Sequence, residues 1–284
     1  MASVGLVLSG GMAKGAYQLG ALKAISKFFI PQEFSMISCS SVGTLNGYAF
    51  AMQRLAEAEQ MWCQLCESET RQSIGKVLRS AFLQQGVQRI CKEDDSIPTK
   101  CYTTLLDISK RQATYFNLQQ ATAEELPKYL KASVAMPLYN HSVQIRQNAF
   151  FDGAMIDNIP VAPLIAQPPD YIFCIYFDNY SYTFENQIFD KRIVKITFPA
   201  ENRLMDSVLF RKESIEKMIM QGFEETGIKL RMLLSEGKEN IEYIYRCIEM
   251  LNRQMPEPKV RLTGDVFVTN LNRIVKKFAK RRLE

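Results

Sequence analysis

Val4-Gly5-Leu6-Val7-Leu8-Ser9-Gly10-Gly11-Met12-Ala13-Lys14-Gly15 passes from an apolar, partly β-branched run through a pair of glycines into the segment Ala13–Phe28. In that segment Ala16, Leu19, Leu22, Ala24 and Ile25 recur at helical spacing, so the order reads strand, tight turn, amphipathic helix. Phe34–Ser40 repeats the strand and Val42–Met52 the helix. Two β-turn-α units in succession predict an α/β protein with a mainly parallel central sheet.

Downstream, Tyr102–Ile108 and Thr114–Leu118 read as strands. Thr122 reads as the cap of a helix running to about Ala132, with Glu125 at capping-box spacing. Val143–Ile145 and Ala149–Phe151 are short strands about a turn at Gln147-Asn148. Tyr171–Phe177 and Ile193–Phe198 are strands, and beyond Asn202 the chain is helical and charged to Arg253. Pro256 and Pro258 then break it.

The bulk properties are those of a globular chain. Its 284 residues, 47% hydrophobic and 23% charged, suffice for a buried core and exclude a disordered class. Apolar stretches are strand-sized, as in Tyr171–Phe177, which is too short for a membrane helix. The first cationic side chain is Lys14, behind the apolar run, so no secretory leader is expected. The seven cysteines are odd in number. Cys63-Gln64-Leu65-Cys66 lacks a second pair to complete a zinc set, and reduced thiols of a cytoplasmic protein are the plain reading.

Two further stretches have the residue types that chemistry needs. Cys39-Ser40-Ser41-Val42-Gly43 stands at a strand-to-helix junction and matches the nucleophile elbow G-x-S-x-G, with Cys39 in the first glycine's place. Gly43 sets the register on Ser41, with Ser40 as the rival. A nucleophilic serine needs a base, and His141 is the only histidine. A triad on it would draw on Asp94, Asp95 or Asp107, none in a suggestive context. Phe150-Phe151-Asp152-Gly153-Ala154 offers another base, since an Asp at a strand end is partly desolvated and becomes a better proton acceptor. By itself, Asp-Gly is also a turn signal. The Ser9–Gly15 stretch fits neither the dinucleotide fingerprint nor the P-loop, but its glycines can present free N–H groups at a helix N-terminus.

Taken in order, Gly10-Gly11-Met12-Ala13-Lys14-Gly15, Cys39-Ser40-Ser41-Val42-Gly43 and Asp152-Gly153-Ala154 resemble the patatin-like phospholipase family. Its pattern is a G-G-G-x-[K/R]-G loop, a G-x-S-x-G serine and a D-G-[G/A] aspartate. Ala132-Ser133-Val134-Ala135-Met136-Pro137 and Asn158-Ile159-Pro160-Val161 also look like its flanking sequence. The resemblance covers about residues 4–200. It implies a three-layer α/β/α patatin-like domain over 1–200, beyond which the chain reads as a helical C-terminal extension with a basic tail over 201–284. It further implies a serine acyl hydrolase of the phospholipase A or lysophospholipase type that acts on lipid or phospholipid acyl esters. Ser41 would attack, Asp152 would take its proton, and the N–H groups of Gly10, Gly11 and Met12 would hold the oxyanion. No metal or organic cofactor is implied. Met12, in place of a third glycine, and Cys39, in place of the elbow's first, depart from the pattern. A transacylase or short-chain esterase with the same dyad remains an alternative, as does a catalytically silent lipid- or partner-binding module.

The net charge of +5 belongs to the tail. Eight of the 35 Lys/Arg and only two Asp/Glu fall within Lys259–Glu284. Phe267, Leu271, Ile274, Val275 and Phe278 interleave with Arg273, Lys276, Lys277, Lys280 and Arg281. Such a helix could lie peripherally on an anionic membrane surface; the more ordinary alternative is a final helix packed on the core with a solvated basic end. Nothing accompanies it that would recognise nucleic acid. Ser73-Ile74-Gly75-Lys76 is an S-x-x-K without partners, and Met205, Met218, Met220 and Met232 read as helical core positions.

Overall fold

The computed structural model describes residues 2–67, 82–137, 139–177, 182–184, 187–198, 212–255 and 259–261. The reading of Ser73–Lys76, of Met205 and of the tail helix therefore lies outside the described residues. The chain is an α/β protein around a mixed sheet of eight strands. In chain order these are β1 (Val4–Leu8), β2 (Phe34–Ser40), β3 (Cys101–Asp107), β4 (Gln112–Asn117), β5 (Val143–Ile145), β6 (Asn148–Asp152), β7 (Tyr171–Tyr176) and β9 (Ile193–Thr197). The remaining strands, β8 (Tyr182–Phe184) and β10 (Lys259–Arg261), pair in parallel with each other as a separate two-stranded sheet. The first three residues of the basic tail are thus a strand, which periodicity over so short a run does not reveal.

Five strands form the parallel centre in the order β3-β2-β1-β7-β9, while β4, β5 and β6 are antiparallel additions on the β3 side. From β1 the chain steps first towards β3 and later towards β9, so the order reverses between β1 and β7. A crevice at the C-terminal ends of strands flanking such a reversal is where open α/β sheets place their sites.

The central strands alternate between two cores. Leu6, Leu8, Tyr171, Phe173 and Ile175 face the larger cluster, and Val7, Ile172, Cys174 and Tyr176 face the smaller. Burial on both faces is why Tyr171–Tyr176 is uniformly apolar. The larger face packs beneath α1 (Gly15–Ile25), α2 (Val42–Ala51), α3 (Leu55–Glu67), α4 (Phe82–Ile90) and α5 (Leu126–Ser133). The smaller is closed by the short α6 (Ala162–Ile165) and α7 (Gln187–Asp190) with β8. The last two helices, α8 (Lys212–Leu233) and α9 (Ile241–Arg253), join the larger core through Ile215, Leu230, Leu233, Ile244 and Ile248.

Several local readings shift. Of the methionines read as core positions, Met218 is buried, but Met220 is 57% exposed and Met232 only half-buried. Helix α1 is buried on nearly every side rather than amphipathic, because α8 lies along its outer surface. The approach is backbone to backbone. A methyl group at Gly20 would meet the Ile219 carbonyl oxygen and lie 2.8 Å from the Phe223 nitrogen, and one at Gly222 would meet the Tyr17 backbone. The β5–β6 turn falls at Arg146-Gln147, one residue earlier than the Gln147-Asn148 reading, with Ile145 paired to Asn148. Arg146 adopts φ 53° there, and its guanidinium holds Glu125 through Nε at 2.6 Å and Nη2 at 2.9 Å. The N-cap of α5 is Glu125 and not Thr122 as read from the sequence, with residues 123–125 forming a turn, and Glu125 accepts the Thr122 N–H at 3.2 Å.

The helix contact yields a paired prediction. Gly20→Ala or Gly222→Ala should each cost about 1–3 kcal/mol, since backbone cannot yield to an added methyl. In Gly227→Ala the methyl meets only the flexible Arg231 tip at 3.4 Å, and stability should rise by about 0.5–1 kcal/mol from helix propensity. Urea unfolding midpoints at unchanged m would show the opposite signs.

Candidate active site

The nucleophile candidate stands where β2 ends and α2 begins. Ser41 adopts φ 52° and ψ −132°, a conformation that costs a non-glycine residue about 1–3 kcal/mol and persists only where packing enforces it. Here it is enforced from behind. The Thr44 N–H donates to the Ser41 carbonyl at 2.8 Å, and a methyl at Gly43 would lie 2.7 Å from the carbonyl oxygens of both Leu8 and Ser9. Any larger residue at 43 would push the elbow off β1. Cys39 fits because Gly47, one turn into α2, leaves room for its sulfur. Its thiol is fully buried, and burial drives its pKa well up, so it stays neutral.

Asp152 reaches Ser41 by sheet register. Strand β4 pairs with β3 from Tyr102 to Asp107 and so occupies one edge of it. The other edge is divided: β2 pairs with Cys101–Thr104, and β6 continues at Leu105–Asp107. Ser40 pairs with Thr104 and Asp152 with Leu105, so the end of β6 abuts the end of β2. The Ser41 hydroxyl donates to Asp152 Oδ2 at 2.6 Å, and the Ala154 N–H donates to Oδ1 at 2.9 Å. The Asp152 N–H is held by the Ala135 carbonyl at 2.8 Å. This places the Ala132–Pro137 stretch beside the site.

Ser41 is 5% exposed and Asp152 3%. Desolvation is the main influence on the carboxyl and carries its pKa up to about 7, against the smaller opposing pull of the Ser41 hydroxyl and the Ala154 N–H. A carboxyl tuned so near neutrality can hold a proton and release it, as acid–base catalysis at ambient pH requires.

The glycine loop crosses above this pair. A methyl at Gly10 would lie 2.8 Å from Ser41 Cβ and 3.3 Å from Ala154 Cβ. Of the three N–H groups expected as donors, that of Gly10 donates to Asn158 Oδ1 at 3.0 Å. Among the described residues the N–H groups of Gly11 and Met12 meet no acceptor. Met12 adopts φ 52° in place of the usual glycine, its side chain half-buried against the core. The Phe177 ring lies over Gly11 and adjoins Tyr17 and Phe198. Beneath the loop, Gln18 donates to the Ser9 carbonyl at 2.7 Å, Asn46 donates to Gln18, and Trp62 donates to Asn46.

The rivals do not converge. Ser40 is fully buried and its hydroxyl donates to the Asp157 carbonyl at 3.0 Å. His141 is exposed. Asp95 is bound to Arg54 and Tyr48, and Asp107 accepts the Lys110 N–H. Among the described residues no cluster of His, Cys, Asp and Glu could hold a metal ion, and no helix is long and apolar enough to cross a membrane. Sequence reading assigned no role to Asn158 or Phe177. The position of Asn158, six residues past the aspartate and just ahead of Ile159-Pro160, is the signal that could have drawn attention to it.

A family model described as patatin-like phospholipase matches residues 6–165. Lysophospholipase NTE1 of Mycosarcoma maydis is 24% identical over 188 residues, 61% of this chain and 10% of that protein. Its namesake in Eremothecium gossypii is 27% identical over 189 residues, 61% of this chain and 12% of that one. The chain thus spans only about a tenth of the length of these curated relatives. VipD from Legionella pneumophila aligns over 89% of this chain and 81% of its own, at TM-score 0.42 and 9% identity. ExoU, in its complex with SpcU from Pseudomonas aeruginosa, aligns over 89% of this chain and 58% of that chain, at 0.34 and 12%. Likeness at those scores adds nothing to the topology above.

Asp152 should titrate with a midpoint near pH 7, followed through the carboxyl 13C shift. Ser41→Ala removes a hydrogen bond that favours the charged form, so in that variant the midpoint should move upward.

Proposed function

The chain belongs to the patatin-like phospholipase family, and from that premise we propose that it is a serine acyl hydrolase of lipid esters, of the phospholipase A or lysophospholipase type. The observation that carries the proposal is the 2.6 Å hydrogen bond from the Ser41 hydroxyl, on an elbow at φ 52°, to a buried Asp152. In the first half-reaction the Ser41 proton passes to Asp152 as Oγ bonds to the ester carbonyl carbon. The carbonyl oxygen takes the negative charge and is met by the N–H groups of Gly11 and Met12, three to four residues ahead of α1, with the N-terminus of α2 adding a favourable dipole. Collapse breaks the ester C–O bond, and the leaving alkoxide takes the proton from Asp152. Water then repeats the sequence on the acyl-Ser41, with Asp152 again as base.

The lysophospholipase named among the relatives supports a monoacyl phospholipid as first substrate, and the basic C-terminal tail supports peripheral contact with an anionic membrane surface. The departures from the family pattern do not favour a silent module. Cys39 is accommodated by Gly47, and Met12 keeps an N–H that meets no acceptor among the described residues.

A fluorophosphonate lipid probe tests the reading. It should form one adduct, on Ser41, absent in Ser41→Ala and slowed by about 10²–10⁴-fold in Asp152→Asn. Because the base must be ionised, labelling and kcat/KM should rise with pH through about 7 to a plateau. An adduct on another serine, or none in folded protein supplied with lipid vesicles, would overturn it.

A further inference from the structure

We propose that Asn158 is a positioning residue that grips the Gly10 peptide and so aims the Gly11 and Met12 N–H groups at the oxyanion; this rests on the acyl-hydrolase reading above. Asn158 meets Gly10 through three hydrogen bonds. Gly10 N–H donates to Asn158 Oδ1 at 3.0 Å and to the Asn158 carbonyl at 3.3 Å, and Asn158 Nδ2 donates to the Gly10 carbonyl at 3.3 Å. The Gly10 backbone offers one donor and one acceptor, and the primary amide of Asn158 answers both from one planar group.

The grip has geometric company. A methyl at Gly10 would lie 2.6 Å from Asn158 Oδ1, so glycine at 10 is required for the amide to close on the backbone. One residue on, the Phe177 ring lies against Gly11. The loop is thereby clamped at Gly10 by polar contacts and at Gly11 by a ring, and Met12 follows with φ 52°. With both peptides held, the next two N–H groups keep their direction despite the missing third glycine. Asn158 itself is placed by the Asp152-to-Pro160 segment, in which the Ile156 and Asp157 N–H groups both return to the Gly153 carbonyl. One short segment therefore carries the base and the clamp.

Asn158 touches no reacting atom on this reading, so its loss should act on the transition state through the loop. Removing a whole oxyanion donor costs about 10²–10³ in kcat. Loosening two donors in Asn158→Ala should cost about 10–100-fold in kcat, with KM within about twofold, the pattern of an interaction made in the transition state alone. Asn158→Asp retains the acceptor, loses the Nδ2 donor and brings negative charge towards the oxyanion, so it should be the slower of the two.

The test uses the full chain. It measures kcat and KM on a p-nitrophenyl acyl ester, Ki for a long-chain trifluoromethyl ketone, Kd for an ether analogue of a lysophospholipid, and the thermal midpoint. A trifluoromethyl ketone adds to serine and develops the oxyanion, and the ether analogue cannot. Weakened ketone inhibition in step with lost kcat, at unchanged ether affinity, is the expected result in either variant. Asn158→Ala with kcat/KM within threefold of wild type overturns the proposal. So does loss of ether affinity and thermal midpoint together with kcat, which would make Asn158 merely structural. Wild type inert towards both ester and ketone would sink the hydrolase reading first, and this one with it.

Discussion

A β-strand has two edges, and β3 gives one of them to β4 along nearly its whole length. Strands β2 and β6, which approach from opposite directions, must therefore share what remains. The serine at the end of one meets the aspartate at the end of the other because of that division. A slip of one residue in either pairing would turn every side chain of the slipped strand to the other face and separate Ser41 from Asp152. Gly153 protects the junction, since a methyl there would lie 2.7 Å from the Thr104 carbonyl carbon. The Thr104 hydroxyl adds a 3.0 Å bond to the Cys39 carbonyl across the β2–β3 seam.

The electrostatics follow from this placement. The buried Asp152 carboxyl at the end of β6 loses water, and among the described residues its hydrogen-bond partners are a hydroxyl and one N–H rather than a cation. Desolvation therefore outweighs hydrogen bonding, and the group titrates near neutrality. Asp95 shows the opposite arrangement in the same chain. Arg54, Tyr48 and the Lys92 N–H surround it and keep its pKa below the usual carboxylate value despite partial burial. Environment thus moves the two carboxyls in opposite directions, Asp95 towards the charged form and Asp152 towards neutrality.

Much of this was legible in the chain. Alternation and short apolar runs located β1, β2, β7 and β9, and turn glycines marked the two βα junctions. The motif spacing singled out Ser41 and Asp152, which the structure brings into hydrogen bond. What escaped reading had no periodic signal. Lys259–Arg261 is a strand only because Tyr182–Phe184 lies beside it. Helix α1 is buried on nearly every side because α8 returns to cover it, and Gly20 and Gly222, 202 residues apart in sequence, acquire meaning only as a pair. Gly10, a candidate donor by sequence, is engaged by a residue 148 positions away.

By itself the sequence determined the class of the protein, the elements that alternate, and the residue types able to do acyl chemistry, because these depend on local period and on side-chain composition. The tertiary structure alone decided which serine faces a carboxyl, how far that carboxyl is desolvated, and which loop N–H group Asn158 engages. Those properties arise between segments distant in the chain, where one strand edge, one amide and one aromatic ring set positions that no local pattern encodes.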